Sequence, residues 1–150
     1  MSELETTSST VTETVPVEYP ALKDFEDDVF NAVYTVMENL LPVGNFRSEE
    51  VPEPESFPLC TLIRMDSRPD WTRRSTASEE DLTVETYEAH AYALSMSECR
   101  KIMNTLAYRM DQMHFERLSM GPVLNGNDIR ISHIVARFSH RIDGRGYMYR

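Results

Sequence analysis

VETYEAHAYALSMSECRKIMNTLAYRMDQMHF, residues Val84 to Phe115, reads as one extended strand running directly into one amphipathic helix. In the strand half, Tyr87, Ala89, Ala91 and Ala93 share one face at period two, and Glu88, His90 and Tyr92 share the other. Three alanines in that register leave room for something bulky, and the helix half supplies it. Cys99, Ile102, Met103, Leu106, Met110 and Met113 recur at three- and four-residue spacing as one apolar stripe. Arg100, Lys101, Asn104, Arg109 and Asp111 take the outer side. Ser95 and Glu98 fit a capping box at the helix start. The small face of the strand and the Met-rich stripe of the helix are therefore expected to form the core of one α+β layer.

The chain has a one-domain length of 150 residues, and 41% hydrophobic residues can fill a single core. No apolar run is long enough to cross a bilayer. The start, MSELETTSSTVTETV, has neither a basic end nor an apolar centre, so a signal peptide is not expected and synthesis in the cytoplasm is. Cys60 falls in an expected strand and Cys99 on the apolar helix face, which reads them as buried thiols rather than as a disulfide or metal site.

The net charge of −10 is unevenly placed. Residues 1–55 hold 13 acidic residues against Lys23 and Arg47, whereas residues 56–150 hold 12 acidic and 13 basic ones. Near the end, Arg130, Arg137, Arg141, Arg145 and Arg150 face only Asp143. A chain acidic at one end and basic at the other suits head-to-tail association with its own copies, or docking between unlike neighbours. It suits a grip on nucleic acid poorly, since that needs clustered positive charge on a basic domain.

In chain order, residues 1–18 are Ser-, Thr- and Glu-rich and are expected to form a flexible arm. Val11, Val15 and Val17, alternating with polar residues, leave open its addition as an edge strand to a neighbouring subunit. A single domain is expected over 19–150. Its first helix opens at Tyr19-Pro20, carries Leu22, Phe25, Val29, Val33, Val36, Met37 and Leu40 on one stripe, and stops at Pro42 and Gly44. Asp24, Glu26, Asp27 and Asp28 complement its dipole. RSEEVPEPE, residues 47–55, is a polar connector. FPLCTLIRM, residues 57–65, is apolar on both faces and is placed inside a sheet. Asp66 to Asp81 reads as a long loop. It carries Trp71 beside Arg73 and Arg74, the composition of an interface anchor, although Trp71 folded back over the sheet edge would serve equally.

Glu116 to Leu124 reads as a strand, Asn125-Gly126-Asn127 as a turn, and Ile129 to Ile142 as the longest strand. On that strand Ile134, Ala136, Phe138 and Ile142 share one face, and Ile129, Ile131, Val135, Arg137 and Arg141 the other. The final YMYR can pair as a short strand. The expected fold is α+β, a mostly antiparallel sheet with two main helices packed on one face.

No catalytic constellation emerges from the motifs: there is no phosphate-cradling glycine loop, metal spacing or nucleophile elbow. His90 and Cys99 are expected on opposite sides of the sheet. Glu85, Glu88 and Asp81 could be imagined around a divalent ion, but a solvated strand face explains them. The reading is of a protein that is not an enzyme and needs no cofactor.

The second half resembles the tail-completion, or tail-terminator, proteins of long-tailed bacteriophages. The resembling residues are YALSM, SECRKIM (Ser97 to Met103), Met110-Asp111, FERLSMGPVLN (Phe115 to Asn125), Asp128-Ile129, Ala136-Arg137-Phe138 and Gly146 to Arg150, preceded by FPLCTLIRMD and a loop containing two arginines. The resemblance spans residues 57–150. It implies a ring, usually of six copies, that caps the head-proximal end of the tail tube, stops its polymerisation and joins it to the neck, with DNA passing through the lumen. On that footing Trp71, Arg73 and Arg74 are expected to meet a tube or neck protein, and Arg137 and Arg141 to lie at the subunit interface. A head-closure protein on the portal side and a non-viral peptide-binding module are the alternatives.

Overall fold

The structure is a computed structural model and describes residues 24–69, 82–124, 128–143 and 148–149. Helix α1 spans Glu26–Met37 and α2 Met96–Gln112. The strands are β1 Phe46–Arg47, β2 Leu59–Pro69, β3 Leu82–Ala93, β4 Glu116–Pro122, β5 Ser132–Asp143 and β6 Met148–Tyr149. They form one sheet in the order β1-β2-β3-β5-β4, with β6 pairing β5. The β1 to β2 pairing is parallel and the other pairings are antiparallel. Both helices pack on one face, as expected for the α+β class.

The central unit folds as its two periods demand. Ala89, Ala91 and Ala93 of β3, with Ala136 of β5, are fully buried, and Cys99, Ile102, Met103, Leu106 and Met110 of α2 fill the space above them. Ser95 caps α2, its hydroxyl accepting the Glu98 N–H at 3.2 Å. Helix α1 adds Val29, Val33 and Met37 to the same core. The helices are tied where Arg109 Nε donates to the Ala32 carbonyl at 3.0 Å, so Arg109 faces the neighbouring helix rather than open solvent.

Several boundaries differ from the expectation. Helix α1 begins at Glu26, because the Asp24 carboxylate accepts the Glu26 N–H at 3.0 Å and sets the turn there; residues 19–23 lie outside the described set. The helix also ends at Met37, short of Leu40. Strand β2 runs on through Asp66, Ser67, Arg68 and Pro69, which were expected in a loop, because each pairs with β3. It is interior only at Cys60 and Thr61, where β1 covers it; beyond Thr61 its outer side has no strand partner among the described residues. Strand β5 starts at Ser132, and Ile129 is 94% exposed before it rather than within it. The short β1 opens the segment expected as a plain connector. Asn45 fastens that segment to the start of β2: its Nδ2 donates to Ser56 Oγ at 3.0 Å and to the Pro58 carbonyl at 2.9 Å.

Candidate functional site

The sheet carries one polar cluster on each face. On the helix-covered face Glu85 is buried two residues before Tyr87, and the paired strand β5 brings His140 opposite it. His140 Nε2 lies 3.2 Å from Glu85 Oε1, and the Tyr87 hydroxyl donates to the same oxygen at 3.2 Å. Arg64 of β2 reaches Glu85 Oε2 at 3.4 Å and also holds Asp24 at 3.0 Å and Glu26 at 3.5 Å. Burial pushes the Glu85 carboxyl up, but His140, Arg64 and Tyr87 outweigh it and hold it below its ordinary value. Burial, then the Glu85 charge, raises the Tyr87 phenol. This cluster joins β2, β3, β5 and the start of α1.

On the opposite face, Glu88, His90 and Tyr92 of β3 meet His133 and Arg137 of β5. The Tyr92 and His133 rings stack with centroids 4.2 Å apart, and His133 and His90 follow at 5.1 Å. His90 Nε2 lies 2.8 Å from Glu88 Oε1, and His90 Nδ1 lies 2.8 Å from His133 Nε2. A carboxylate can only accept, so His90 carries a proton on Nε2, and its Nδ1 accepts from His133 when both rings are neutral. Arg137 Nε donates to the other Glu88 oxygen at 2.8 Å. Burial and the neighbouring His90 charge push His133 down to about 4, Glu88 opposing them. Burial raises the Glu88 carboxyl, but His90 and Arg137 prevail and lower it. The row is a ladder of stacked rings tied at one end by the Glu88 carboxylate, which His90 and Arg137 share.

Glu85 and Glu88, read as part of one solvated strand face and only imagined around an ion with Asp81, do not share a face, and Glu85 is buried. Glu85 points into the core and Glu88 to the other face, because adjacent parities of a strand oppose each other, and Asp81 lies outside the described residues. Among the described residues no three His, Cys, Asp or Glu side chains come together as metal ligands. Cys60 and Cys99 are free and buried; burial raises both thiols, Cys99 to about 11, and the Cys99 thiol lies 3.1 Å from the Ala91 carbonyl on the face away from His90. No described helix is long and apolar enough to cross a membrane.

Of the residues expected at interfaces, Trp71, Arg73 and Arg74 lie outside the described residues. Arg137 and Arg141 both sit on β5 with their side chains on the ladder face, Arg137 opposite Glu88 and Arg141 opposite Val84. They therefore belong to a face of the sheet and not to its edge. Glu85 and His140 were missed as a pair, although parity alone aligns Glu85 with Tyr87 and His140 with Phe138 and Ile142. Exposed apolar side chains instead mark Met65, on the part of β2 beyond the reach of β1, and Leu118 on the end strand β4. No family model matches this sequence, and no curated protein matches it as a relative.

Proposed function

We propose that this chain is a structural subunit of a phage tail, forming a ring at the head-proximal end of the tail tube that ends tube polymerisation and joins the tail to the neck. The observation that carries the proposal is the ordered run of resembling segments from Phe57 to Arg150, whose described parts fall on β2–β6 and α2, one continuous sheet-and-helix unit. Two further features support it. The charge is split between an acidic first third and an arginine-bearing end, which suits head-to-tail closure. The sheet ends in two different strands, and unlike surfaces are what a head-to-tail ring of three or more copies joins. In this reading the copies number six, the partners are the tube protein and a neck or head-closure protein, DNA crosses the lumen without specific binding, and the protein acts without cofactor in the virion after assembly in the host cytoplasm.

The test is the mass of the purified protein in solution over a range of concentrations, with electron microscopy in the presence and absence of polymerised tube protein. Rings that sit only on tube ends are the expected result. A strict monomer that ignores tube ends removes the proposal, and binding to the portal side instead moves the chain to head closure. Replacing Arg73 and Arg74 by Glu is expected to leave the fold intact and to block joining; normal joining rejects the role given to that segment.

A further inference from the structure

The two outer strands complement each other. From the order β1-β2-β3-β5-β4 and its antiparallel pairings, β4 at one end of the sheet and β2, which the two-residue β1 covers only at Cys60 and Thr61 towards the other end, run in opposite directions. When a second copy is set alongside with its sheet in the same orientation, its β4 lies antiparallel to the first copy's β2, the better-bonded arrangement. Joining two different edges is a heterologous contact, the kind that closes into rings.

The lengths and faces agree. Strand β1 takes the outer side of β2 only as far as Thr61, leaving Leu62 onward without a strand partner among the described residues. The seven residues of β4, Glu116–Pro122, fit against Leu62–Arg68. Core-facing residues on β2 are Leu62, Arg64 and, past a bulge at Met65, Ser67; on β4 they are Pro122, Met120 and, past a bulge at Leu118, Arg117. One antiparallel register sets Leu62 against Pro122, Arg64 against Met120, Ser67 against Arg117 and Arg68 against Glu116. Faces match at both ends of that register because each strand carries one bulge and the two are offset by a single residue. A bulge in only one strand would put half of the row out of step.

The same register places Arg68, whose guanidinium holds Asp66 at 2.9 Å, opposite Glu116 and no like charges opposite each other, and it brings the exposed Met65 and Leu118 to the seam. Charges, prolines and bulges are also how a strand edge is kept single. What separates the two cases is whether the rows complement each other, and here they do.

We infer that β2 of one copy pairs with β4 of the next, in the register Arg68 to Glu116, to form a sheet continuous around the assembly. This rests on the ring reading and names its joint. The test uses Arg68→Cys and Glu116→Cys in the full chain; Cys60 and Cys99 are buried and add no background. Directly opposed residues of an antiparallel pair lie about 4.5–5.5 Å apart between Cα atoms, within the range a disulfide spans. Under mild oxidation a mixture of the two single variants is expected to give covalent dimers that neither gives alone, and the double variant a ladder of linked copies. Dimers from Arg68→Cys alone reject the joint in favour of like-edge pairing. Rings that assemble without any ladder reject the joint and leave the ring reading standing. Neither rings nor ladder, with tube protein present, rejects both.

Discussion

The imidazole of His140 lies almost parallel to the ring of Phe115, with centroids 4.0 Å apart and planes 20° from parallel, while its Nε2 faces Glu85. The pair is buried and its geometry is set by packing as much as by charge. Among the described residues His140 Nδ1 finds no hydrogen-bond partner, so the ring's polar hold is the contact of Nε2 with Glu85. Replacing His140 by Leu is expected to cost about 3 kcal/mol, since it strips a buried carboxylate of one partner. The double replacement of Glu85 and His140 by Leu is expected to cost less than the sum of the single ones. Urea unfolding of the three variants checks this.

Stability is expected to fall in acid in two stages. Because the folded chain holds His133 near 4, well under the ordinary 6.5, the unfolded chain takes up a proton first. That contribution is full above about pH 6.5 and drains as pH falls toward 4. Glu85 and Glu88 have lowered folded values, so theirs is present above the ordinary carboxylate range and is lost as pH falls through it. Unfolding midpoints at pH 7.5, 5.5 and 4.5 are expected to decline, and His133→Gln is expected to flatten the decline between 6.5 and 4.5. An unchanged slope in that variant assigns the first stage elsewhere.

Helix α2 depends on its first residues. Ser95→Ala removes the acceptor for the Glu98 N–H and is expected to cost about 1 kcal/mol. Ser95→Asp is expected to recover most of it, because a carboxylate accepts the same bond. Thermal unfolding of the two variants separates loss of the cap from loss of the hydroxyl as such.

The alanines of β3 are sized to the helix above them. Ala91→Leu pushes extra methylenes into the space taken by α2, and a cost of about 1–3 kcal/mol is expected. Leu106→Ala from the other side leaves a cavity and is expected to cost about 2–5 kcal/mol. Combining the two is expected to cost less than their sum if they fill the same space, which denaturant unfolding of the double variant measures.

The period-two pattern from Tyr87 to Ala93 and the stripe from Cys99 to Met113 made the central unit legible, because burial on one face is written directly in residue type. The same parity places Glu85 in the core, yet a carboxylate reads as solvent-facing until a partner is known, and that partner is 55 residues away on another strand. The ladder was hidden for the same reason: His90 and His133 become neighbours only through the register of β3 on β5. Strand β2 ran past its apolar stretch because backbone pairing with β3, and not burial, carries Asp66 to Pro69, and the bulge after Arg64 resets the alternation there. The two cooperating edges could not be read at all before the strand order was known.

Strand β3 is paired on both sides from Thr83 to Tyr92, whereas β1 holds two residues and, among the described residues, β4 has a strand partner on one side only. Local opening follows that gradient, so β3 amides are the last to exchange with solvent and those of the outer strands the first. The molecule thus keeps two clocks, a slow one in its centre and fast ones at its flanks. A partner that docks on the flanks meets the least protected strands, while the centre keeps its pairing on both sides.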